Sequence, residues 1–300
     1  MIKLKIAFLL TIYTQPKQVN MFIKQILQYE KAYVFIHIDE KYLNIKEDII
    51  KHERVVIIPN SIKVEWGDFS HSYSIIELMK YAKEYGEFDY FSVNSGHDLL
   101  IKPVNELIKF LEQDNAVAYL DCNKMPCKGW ELGGGMGRIQ LNWPSVFRQK
   151  LTNYSPWRYI RKIYGLAYEI GIIKGKSLPQ NIDFYGGSDW FTVRNDALEY
   201  MLNYIYENHK FIELFDHSLI GSEIFFNTLI CNMDTKDKIV TNNNLRYIDW
   251  SREPGQSKGS PKTMNILDLD NIIASDSFVA RKFDINKDVE VINKIISKTI

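Results

Sequence analysis

The sequence lacks a net charge and any long apolar segment. Its 37 basic and 37 acidic residues cancel, so no overall field attracts the chain to nucleic acid or to an anionic membrane. Anion binding must then depend on local clusters of basic side chains. No segment approaches the ~20 consecutive apolar residues that cross a bilayer, which excludes a membrane-spanning helix.

Cysteine is scarce, and its number is odd. Cys122, Cys127 and Cys231 suit a reducing compartment. Cys122 and Cys127 have no second Cys or His pair at the spacing of a structural zinc site. We therefore expect no structural zinc site.

The N-terminal segment also lacks a signal-peptide cleavage site. Two lysines precede an apolar run, as in a signal peptide, but the run is short and Tyr13, Thr14, Gln15 and Pro16 follow it. We interpret the run as a buried strand. The chain is expected to be cytoplasmic, and at most peripheral at the inner face of a membrane.

Apolar residues make up 46% of the sequence, and they are arranged in segments with the patterns of alternating strands and helices. Apolar runs at 5–13, 32–38 and 55–58 predict strands, and apolar periodicity at 19–29 and 71–85 predicts helices. This alternation predicts an α/β fold with a mainly parallel central sheet and helices on both faces. Since no repeat or linker interrupts the pattern, we expect one domain over residues 1–300.

Residues 88–103 are the centre of the predicted fold. An apolar run at 88–93 ends at Asn94-Ser95-Gly96, which favours a turn, and His97 and Asp98 follow it. Pro103 then opens a segment with helical spacing. Open α/β sheets place ligands at such a strand end. We therefore predict a ligand site here.

A segment of different character follows. Gly133, Gly134, Gly135 and Gly137 lie close together, without the strand and the Lys-Ser/Thr of a P-loop, and we expect a mobile loop. Aromatic and basic residues alternate in 143–164. Such a mixture suits single-stranded nucleic acid or a sugar-binding cleft, and the zero net charge disfavours nucleic acid.

Seven segments in order carry a resemblance: HIDEK, VEWGDFS, FDYFSVNSGHDLLIKP, LDCNKMP, GGSDWFTV, SEIFFNT and ARKFD. Together they resemble the core-2/I-branching β-1,6-N-acetylglucosaminyltransferase and peptide O-xylosyltransferase family, glycosyltransferase family 14. The similarity runs from Ile6 to Asp284 and is poor at about 127–181, where we expect a variable insertion that chooses the acceptor. The resemblance implies a GT-A-like nucleotide-sugar-binding fold and an inverting transfer from a UDP-sugar to a hydroxyl.

The same resemblance assigns roles to individual residues. Glu223 matches the general base, in the first turn of a helix whose N-cap is predicted to be Ser222. Asp39 matches a residue that contacts uracil. Asp121 matches an acceptor-sugar contact where the family often has Glu. Asp98 and Trp190 fall on motif positions and are assigned to the wall of the site.

The turn after the central strand lacks the Asp-x-Asp that holds a divalent metal in many GT-A enzymes. Asp268-Leu269-Asp270 spells that motif, but it opens a predicted helix and is interpreted as a cap. The resembled family works without a metal and uses basic side chains. Lys282, with Arg281 beside it, matches the diphosphate-binding lysine at the end of a predicted helical segment. Its partner is one of Arg246, Lys258 and Lys262, and we choose Arg246.

Three alternatives stay open. The donor is UDP-GlcNAc, which we favour, or UDP-xylose. A metal-dependent GT-A transferase of another family would use His97 and Asp98. A carbohydrate-binding protein with a degenerate site is disfavoured because both Glu223 and Lys282 are present. Animal relatives have a membrane anchor and many cysteines, so we expect a bacterial enzyme acting on a surface polysaccharide, lipo-oligosaccharide or capsule.

Overall fold

A seven-stranded sheet organises the protein. The computed structural model describes residues 4–114, 116–233, 240–251 and 260–300. The strands in these ranges are β1 (Ile6–Ile12), β2 (Ala32–Ile38), β3 (Val55–Ile57), β4 (Tyr90–Ser95), β5 (Leu99–Leu100), β6 (Ala118–Leu120), β7 (Asn123–Lys124), β8 (Tyr185–Gly186), β9 (Thr192–Arg194), β10 (Val240–Asn242), β11 (Arg246–Ile248) and β12 (Val279–Arg281). The large sheet has the order β10-β6-β9-β4-β1-β2-β3.

Most neighbours in this sheet are parallel. β1 pairs with β2 from Ile6↔Ala32 onward and with β4 from Ile6↔Tyr90 onward. Only β9 runs antiparallel among the described strands of this sheet, against β4 and β6. The predicted mainly parallel α/β sheet is confirmed.

The helices cover both faces of the sheet. They are α1 (Pro16–Ile26), α2 (Ser70–Tyr85), α3 (Val104–Asp114), α4 (Glu131–Gly134), α5 (Gly137–Gln140), α6 (Pro156–Glu169), α7 (Asn195–Glu207), α8 (His209–Glu213), α9 (Ser222–Cys231), α10 (Leu269–Ala274) and α11 (Val289–Thr299), with 3-10 helices at Glu40–Asp48, Ser145–Arg148 and Ile266–Asp268. Successive residues of a strand point to opposite faces. Phe8 and Leu10 accordingly join the apolar cluster with α1, α3 and α11, and Ala7 and Leu9 join the cluster with α2, α7 and α9.

A small sheet extends the fold beyond β4. Its order is β11-β12-β5, and β5 follows β4 after a three-residue turn. The buried Gln25 of α1 ties this sheet down. Its amide donates to Leu100 O at 2.8 Å and to Thr299 Oγ1 at 2.6 Å, and its Oε1 accepts from Leu100 N at 3.1 Å. The small sheet therefore holds residues 279–283 at the end of the central strand.

Several local predictions are corrected. Val279–Arg281 is a strand, so Lys282 does not end a helix. The N-cap of α9 is Gly221, and Ser222 is its first residue. The glycine-rich segment has left-handed backbone at Leu132, Gly133, Gly134 and Gly135, with φ of 64°, 63°, 68° and 90°, and then forms the four-residue helix α5. Asp268 is a cap, as predicted, because its Oδ2 accepts from Asn265 N at 3.0 Å.

Two of the three cysteines are paired. Cys122, just after β6, is joined to Cys231, at the end of α9. Cys127 is free and buried. The compartment stays a prediction.

Within the described ranges, none of the helices has both the length and the apolar content needed to cross a membrane.

Candidate active site

Glu223 lies in the first turn of α9. Its side chain is 27% exposed, and its Oε2 accepts a hydrogen bond from Arg138 Nη1 at 2.5 Å. Burial raises the pKa of this carboxyl, and nearby Asp189 raises it further, while Arg138 and Arg281 oppose the shift. The pKa is raised overall. A partly exposed carboxylate of this kind is suited to accept a proton.

Arg138 reaches Glu223 from α5, 85 positions earlier in the chain. Its guanidinium carbon also lies 4.2 Å from the centre of the Trp130 ring, as in a cation–π contact. The glycine-rich segment therefore supplies a cation to the site. Sequence reasoning singled out the glycines of this segment and missed the arginine among them.

Asp189 and His71 form a second pair beside Glu223. Asp189 Oδ2 lies 3.1 Å from His71 Nδ1 and accepts from Ser222 Oγ at 3.2 Å. Burial raises the pKa of Asp189, but the hydrogen bond and charge of His71, helped by Arg281, outweigh burial and lower it. Two neighbouring carboxylates, Glu223 and Asp189, thus have pKa values shifted in opposite directions. That separation is typical of a site with an acid–base residue.

Arg281 occupies the middle of the site. Its side chain is 11% exposed, and its guanidinium carbon lies 4.2 Å from the centre of the Trp190 ring. Its Nε is 3.7 Å from Oδ1 of the fully buried Asp98. Within the part of the chain that the structure describes, its Nη1 is buried without a hydrogen-bond partner. Because buried donors are normally satisfied, this nitrogen is free for a ligand.

Asp98 and Trp190, predicted to line the wall, hold Arg281 in place. Asp98 closes the turn after β4, since its Oδ2 accepts from Ser95 N at 2.7 Å and its Oδ1 from Ser95 Oγ at 2.9 Å. Trp190 is 9% exposed and packs edge-on against His71. Asp98 and Trp190 therefore serve mainly to position the Arg281 guanidinium, and less to line the wall of the site.

Lys282 follows Arg281 and is partly buried. Burial lowers its pKa, and the charge of Arg281 lowers it further. His97 is close by: its Nδ1 lies 3.1 Å from Phe283 O and its Nε2 3.1 Å from Tyr13 Oη. Burial and then Lys282 lower the pKa of His97. Arg281 and Lys282 together make this end of the site positive.

Arg246 is buried near Arg281 and Asp98, whose charges act on its guanidinium. It is 6% exposed, and its Nη2 donates to Val93 O at 2.7 Å, to Phe191 O at 3.1 Å and to Asn94 Oδ1 at 3.2 Å. Burial lowers its pKa to about 10. Its guanidinium links β4 to the loop before β9, and among the described residues its Nε is buried without a hydrogen-bond partner. The pairing of Arg246 with Lys282 at the diphosphate stays a prediction.

Of the other two candidate partners, Lys262 lies in the described part of the chain and is paired with an acidic residue. Lys262 Nζ binds Asp268 Oδ1 at 2.6 Å. Lys258 lies outside the described residues.

Asp39 lies at the end of β2 and caps the following 3-10 helix. It is 6% exposed, and its Oδ1 accepts from Lys41 N at 3.0 Å and from Val64 N at 3.4 Å. The neighbouring His37 accepts from Ile62 N at 2.8 Å through Nε2. Asp39 thus has a structural role in the loop at 62–64. Its uracil contact stays a prediction.

Asp121 is joined to Glu223 through the turn at 186–189. Its Oδ2 accepts from Ser188 N at 2.9 Å and from Asn244 Nδ2 at 3.2 Å, while Gly187 N donates to Glu223 O at 2.9 Å. A Cβ on Gly187 would lie 2.3 Å from the Asp121 Cβ, so only glycine allows this approach. The turn brings Asp121 to the Glu223 side of the site.

His71 and Asp189 were missed although they lie in or beside quoted motifs. Asp189 belongs to GGSDWFTV, from which only Trp190 was selected, and His71 directly follows VEWGDFS. The acidic side chain of Asp189 inside a motif was the signal that could have identified it as a site residue. Their pairing joins residues 118 positions apart, as their numbers show, and no local pattern predicts such a contact.

The proposed metal ligands of the alternative enzyme class already have protein partners. Both His97 nitrogens lie within hydrogen-bond distance of Tyr13 and Phe283, and both Asp98 oxygens accept from Ser95. No three His, Cys, Asp or Glu side chains gather as a metal-binding group in the described part of the chain. Independence from metal stays a prediction.

The arrangement is typical of an enzyme: ionisable groups with shifted pKa values collect where the parallel strands of an α/β sheet end. A family model described as core-2/I-branching enzyme matches residues 6–273. The chain belongs to this family.

Similar curated proteins are named as xylosyltransferases. The xylosyltransferase of Ciona intestinalis is 23% identical over 97% of this chain and 34% of its own length. Xylosyltransferase sqv-6 of Caenorhabditis elegans is 22% identical over 96% of this chain and 36% of its own length. Xylosyltransferase 1 of Homo sapiens is 23% identical over 97% of this chain and 30% of its own length. The chain spans about a third of the length of these relatives.

A crystal structure of mouse xyloside xylosyltransferase 1 in its apo form aligns with 92% of this chain and 97% of its own, at a TM-score of 0.38 and 10% identity. That similarity is too distant to carry an argument.

Proposed function

We propose that the protein transfers a sugar from a UDP-sugar to a hydroxyl of a glycan acceptor, with inversion at the anomeric carbon. The observation that carries this proposal is the pairing of a raised-pKa carboxylate, Glu223, with an incompletely bonded cation, Arg281, at one end of the sheet. Family membership supports it.

Glu223 acts as the general base. The acceptor hydroxyl oxygen attacks C1 of the sugar, and its proton passes to the Glu223 carboxylate. The bond between C1 and the β-phosphate oxygen breaks, and the electron pair leaves with UDP. For the base to be free, Arg138 must move off Glu223 Oε2 or share it with the acceptor, because the two now form an ion pair.

Arg281 and Lys282 balance the charge of the departing diphosphate. Both side chains are partly or largely buried, and electrostatic interactions are stronger away from water. The unpaired Arg281 Nη1 supplies one donor. Burial and the charge of Arg281 lower the pKa of Lys282, so a bound anion would stabilise the charged form of this lysine. Transfer is then expected without a divalent metal.

Asp39 is assigned to the uracil of the donor, and Asp121 is assigned to the acceptor sugar. Asp39 Oδ2 has a Lys41 partner at 3.6 Å, and a carboxylate oxygen there suits the N3–H of uracil. Asp121 lies beside the turn that carries Glu223 O, which suits an acceptor-sugar contact.

The donor is the open question between UDP-xylose and UDP-GlcNAc. The names of the three relatives above favour UDP-xylose, against our preference from sequence. We therefore propose UDP-xylose as the first donor to test and UDP-GlcNAc as the second.

Calorimetry with UDP, UDP-xylose and UDP-GlcNAc, followed by UDP-release assays with a panel of hydroxyl acceptors, tests this function. We expect one UDP-sugar to bind and UDP to be released only with acceptor present. A chain that binds glycans but neither UDP nor a UDP-sugar is a carbohydrate-binding protein, and the proposal then fails.

A further inference from the structure

One side of helix α6 is half-buried against the protein, and the other side exposes an apolar stripe. Gly165 is its only buried residue, and Tyr164 beside it packs 5.2 Å from the Trp143 ring. Tyr159, Ile163, Leu166 and Ile170 recur at the three- and four-residue spacing that places side chains on one face of a helix. They are 59%, 66%, 55% and 62% exposed. The stripe has no partner within the described residues.

Exposed apolar side chains are concentrated here. Of the 20 large hydrophobic residues exposed in the described ranges, eight lie within residues 154–172. Scattered exposed apolar residues are normal, whereas a contiguous patch marks an interaction surface. We call the exposed face of α6 together with the exposed Ile172 the α6 surface.

The charge of this segment differs from that of the chain. Residues 148–176 contain seven basic residues and one acidic residue in a chain of zero net charge: Arg148, Lys150, Arg158, Arg161, Lys162, Lys174 and Lys176 against Glu169. Three of the basic side chains bond inward, Arg148 to Asp68, Arg161 to Phe147 O and Lys176 to Leu214 O. Two further lysines are exposed next to residues of the α6 surface in the chain: Lys162 directly precedes Ile163, and Lys174 lies two residues after Ile172.

We propose that the α6 surface binds the surface of an anionic lipid bilayer. An apolar helix face flanked by lysines is the form of a helix that lies in the membrane interface, where apolar side chains enter the headgroup boundary and cations meet anionic lipids. A second copy of this chain fits less well, because a two-fold contact would set the same basic residues against their own copies. Nucleic acid offers nothing to the apolar stripe.

Helix α6 contacts the segment that carries Arg138 of the candidate active site. Glu169 of α6 accepts from Leu132 N at 2.6 Å, and a Cβ on Gly137 would lie 2.6 Å from the Tyr168 ring. The residue after Gly137 is Arg138, the partner of Glu223. Binding through the α6 surface therefore fixes which side of the site faces the lipid, although the binding itself does not rest on the proposed function.

The test is partition of the purified chain onto vesicles of phosphatidylcholine alone or mixed with phosphatidylglycerol, measured by co-sedimentation. We expect binding to the anionic vesicles only, weakened by salt. I163D/L166D should reduce partition by roughly tenfold or more. K162E/K174E should reduce it roughly fivefold for each charge removed. L267D, at an apolar side chain that is 87% exposed elsewhere, is the matched control and should bind like wild type.

Thermal unfolding of each variant shows that it is folded. The proposal is overturned if the wild-type chain does not bind anionic vesicles, or if I163D/L166D binds as well as L267D. It is also overturned if analytical ultracentrifugation finds a dimer that I163D/L166D abolishes while vesicle binding persists.

Discussion

Opposing effects meet at Glu223. Burial and Asp189 raise its pKa, and Arg138 and Arg281 hold the increase back. A base must be deprotonated to act, so activity is lost as the pH falls through this raised pKa. The acid limb of the turnover profile should therefore lie above the usual carboxyl pKa of about 4.3.

Glu223→Gln should lower turnover by roughly 10²–10⁴-fold and remove that acid limb, because the amide cannot accept the proton. Donor affinity, measured by calorimetry, should stay unchanged. Glu207→Gln, at an exposed position near the end of α7, is the control. Near wild-type turnover in Glu223→Gln at saturating substrates would reduce Glu223 to a helix-end carboxylate.

Lys282→Ala should keep the fold and lose most turnover, because the missing charge matters most as the leaving group develops its own. Wild-type turnover should persist in excess EDTA. UDP-release assays measure both, with Lys294→Ala, an exposed lysine of α11, for comparison. Loss of activity in EDTA with rescue by manganese, together with an active Lys282→Ala, would refute this mechanism.

Asp39 combines a cap with a predicted uracil contact, and two substitutions separate these roles. Asp39→Asn keeps an oxygen for Lys41 N and removes the charge, so UDP affinity should fall while stability changes little. Asp39→Ala should also lose about 1 kcal/mol of stability through the cap. Calorimetry and urea denaturation measure the two effects. Unchanged UDP affinity in both variants would leave Asp39 a structural residue only.

At the scale of elements, Gln25 shows how the small sheet is held against α1. Gln25→Leu would leave Leu100 N, Leu100 O and Thr299 Oγ1 without this partner in a dry environment. Such groups cost roughly 1–3 kcal/mol each when unpaired. We expect a loss of about 2–4 kcal/mol by urea denaturation. Gln28→Leu, on the exposed face near the end of α1, should change stability little, and an equal effect in both variants would contradict the assignment.

The elements were largely predictable, and the contacts between them were not. Continuous apolar runs identified β1 and β2 because buried parallel strands leave that pattern. Periodicity identified α1 and α2 with boundaries a few residues off. Val279–Arg281 was assigned to a helical segment because three residues are too few to show any period.

Site residues that lie in a local motif could be proposed from the sequence, and contacts between distant residues could not. Glu223 and Lys282 came from motifs, each read within a short segment. Arg138 depends on a partner 85 positions away, and the hydrogen bonds of Arg246 to β4 and to the loop before β9 join residues more than 50 positions apart. Pairing of this kind is decided by the fold, which a local pattern does not contain.

At the scale of the whole molecule, buried His37 should make stability depend on pH. It is 1% exposed and accepts a backbone hydrogen bond, and burial lowers its pKa to about 4. The unfolded value is about 6.5. The unfolded chain therefore binds a proton first, and stability falls as the pH drops from about 6.5 to about 4.

We expect this group to account for about 3 kcal/mol of that loss, measured by urea denaturation at several pH values. His37→Gln keeps an acceptor for Ile62 N and should flatten the dependence. His209→Gln, at an exposed histidine, should not. An equally steep dependence in His37→Gln would assign the acid sensitivity to other groups.

Part of the segment at 127–181 packs around a small cluster of Leu141, Trp143, Phe147 and Leu219, of which Leu219 lies outside the segment. This segment meets Glu223 through Arg138, whereas the backbone of Glu223 is fixed by α9 and the turn at 186–189. Gene duplication followed by divergence of this segment is therefore expected to leave the backbone of Glu223 in place.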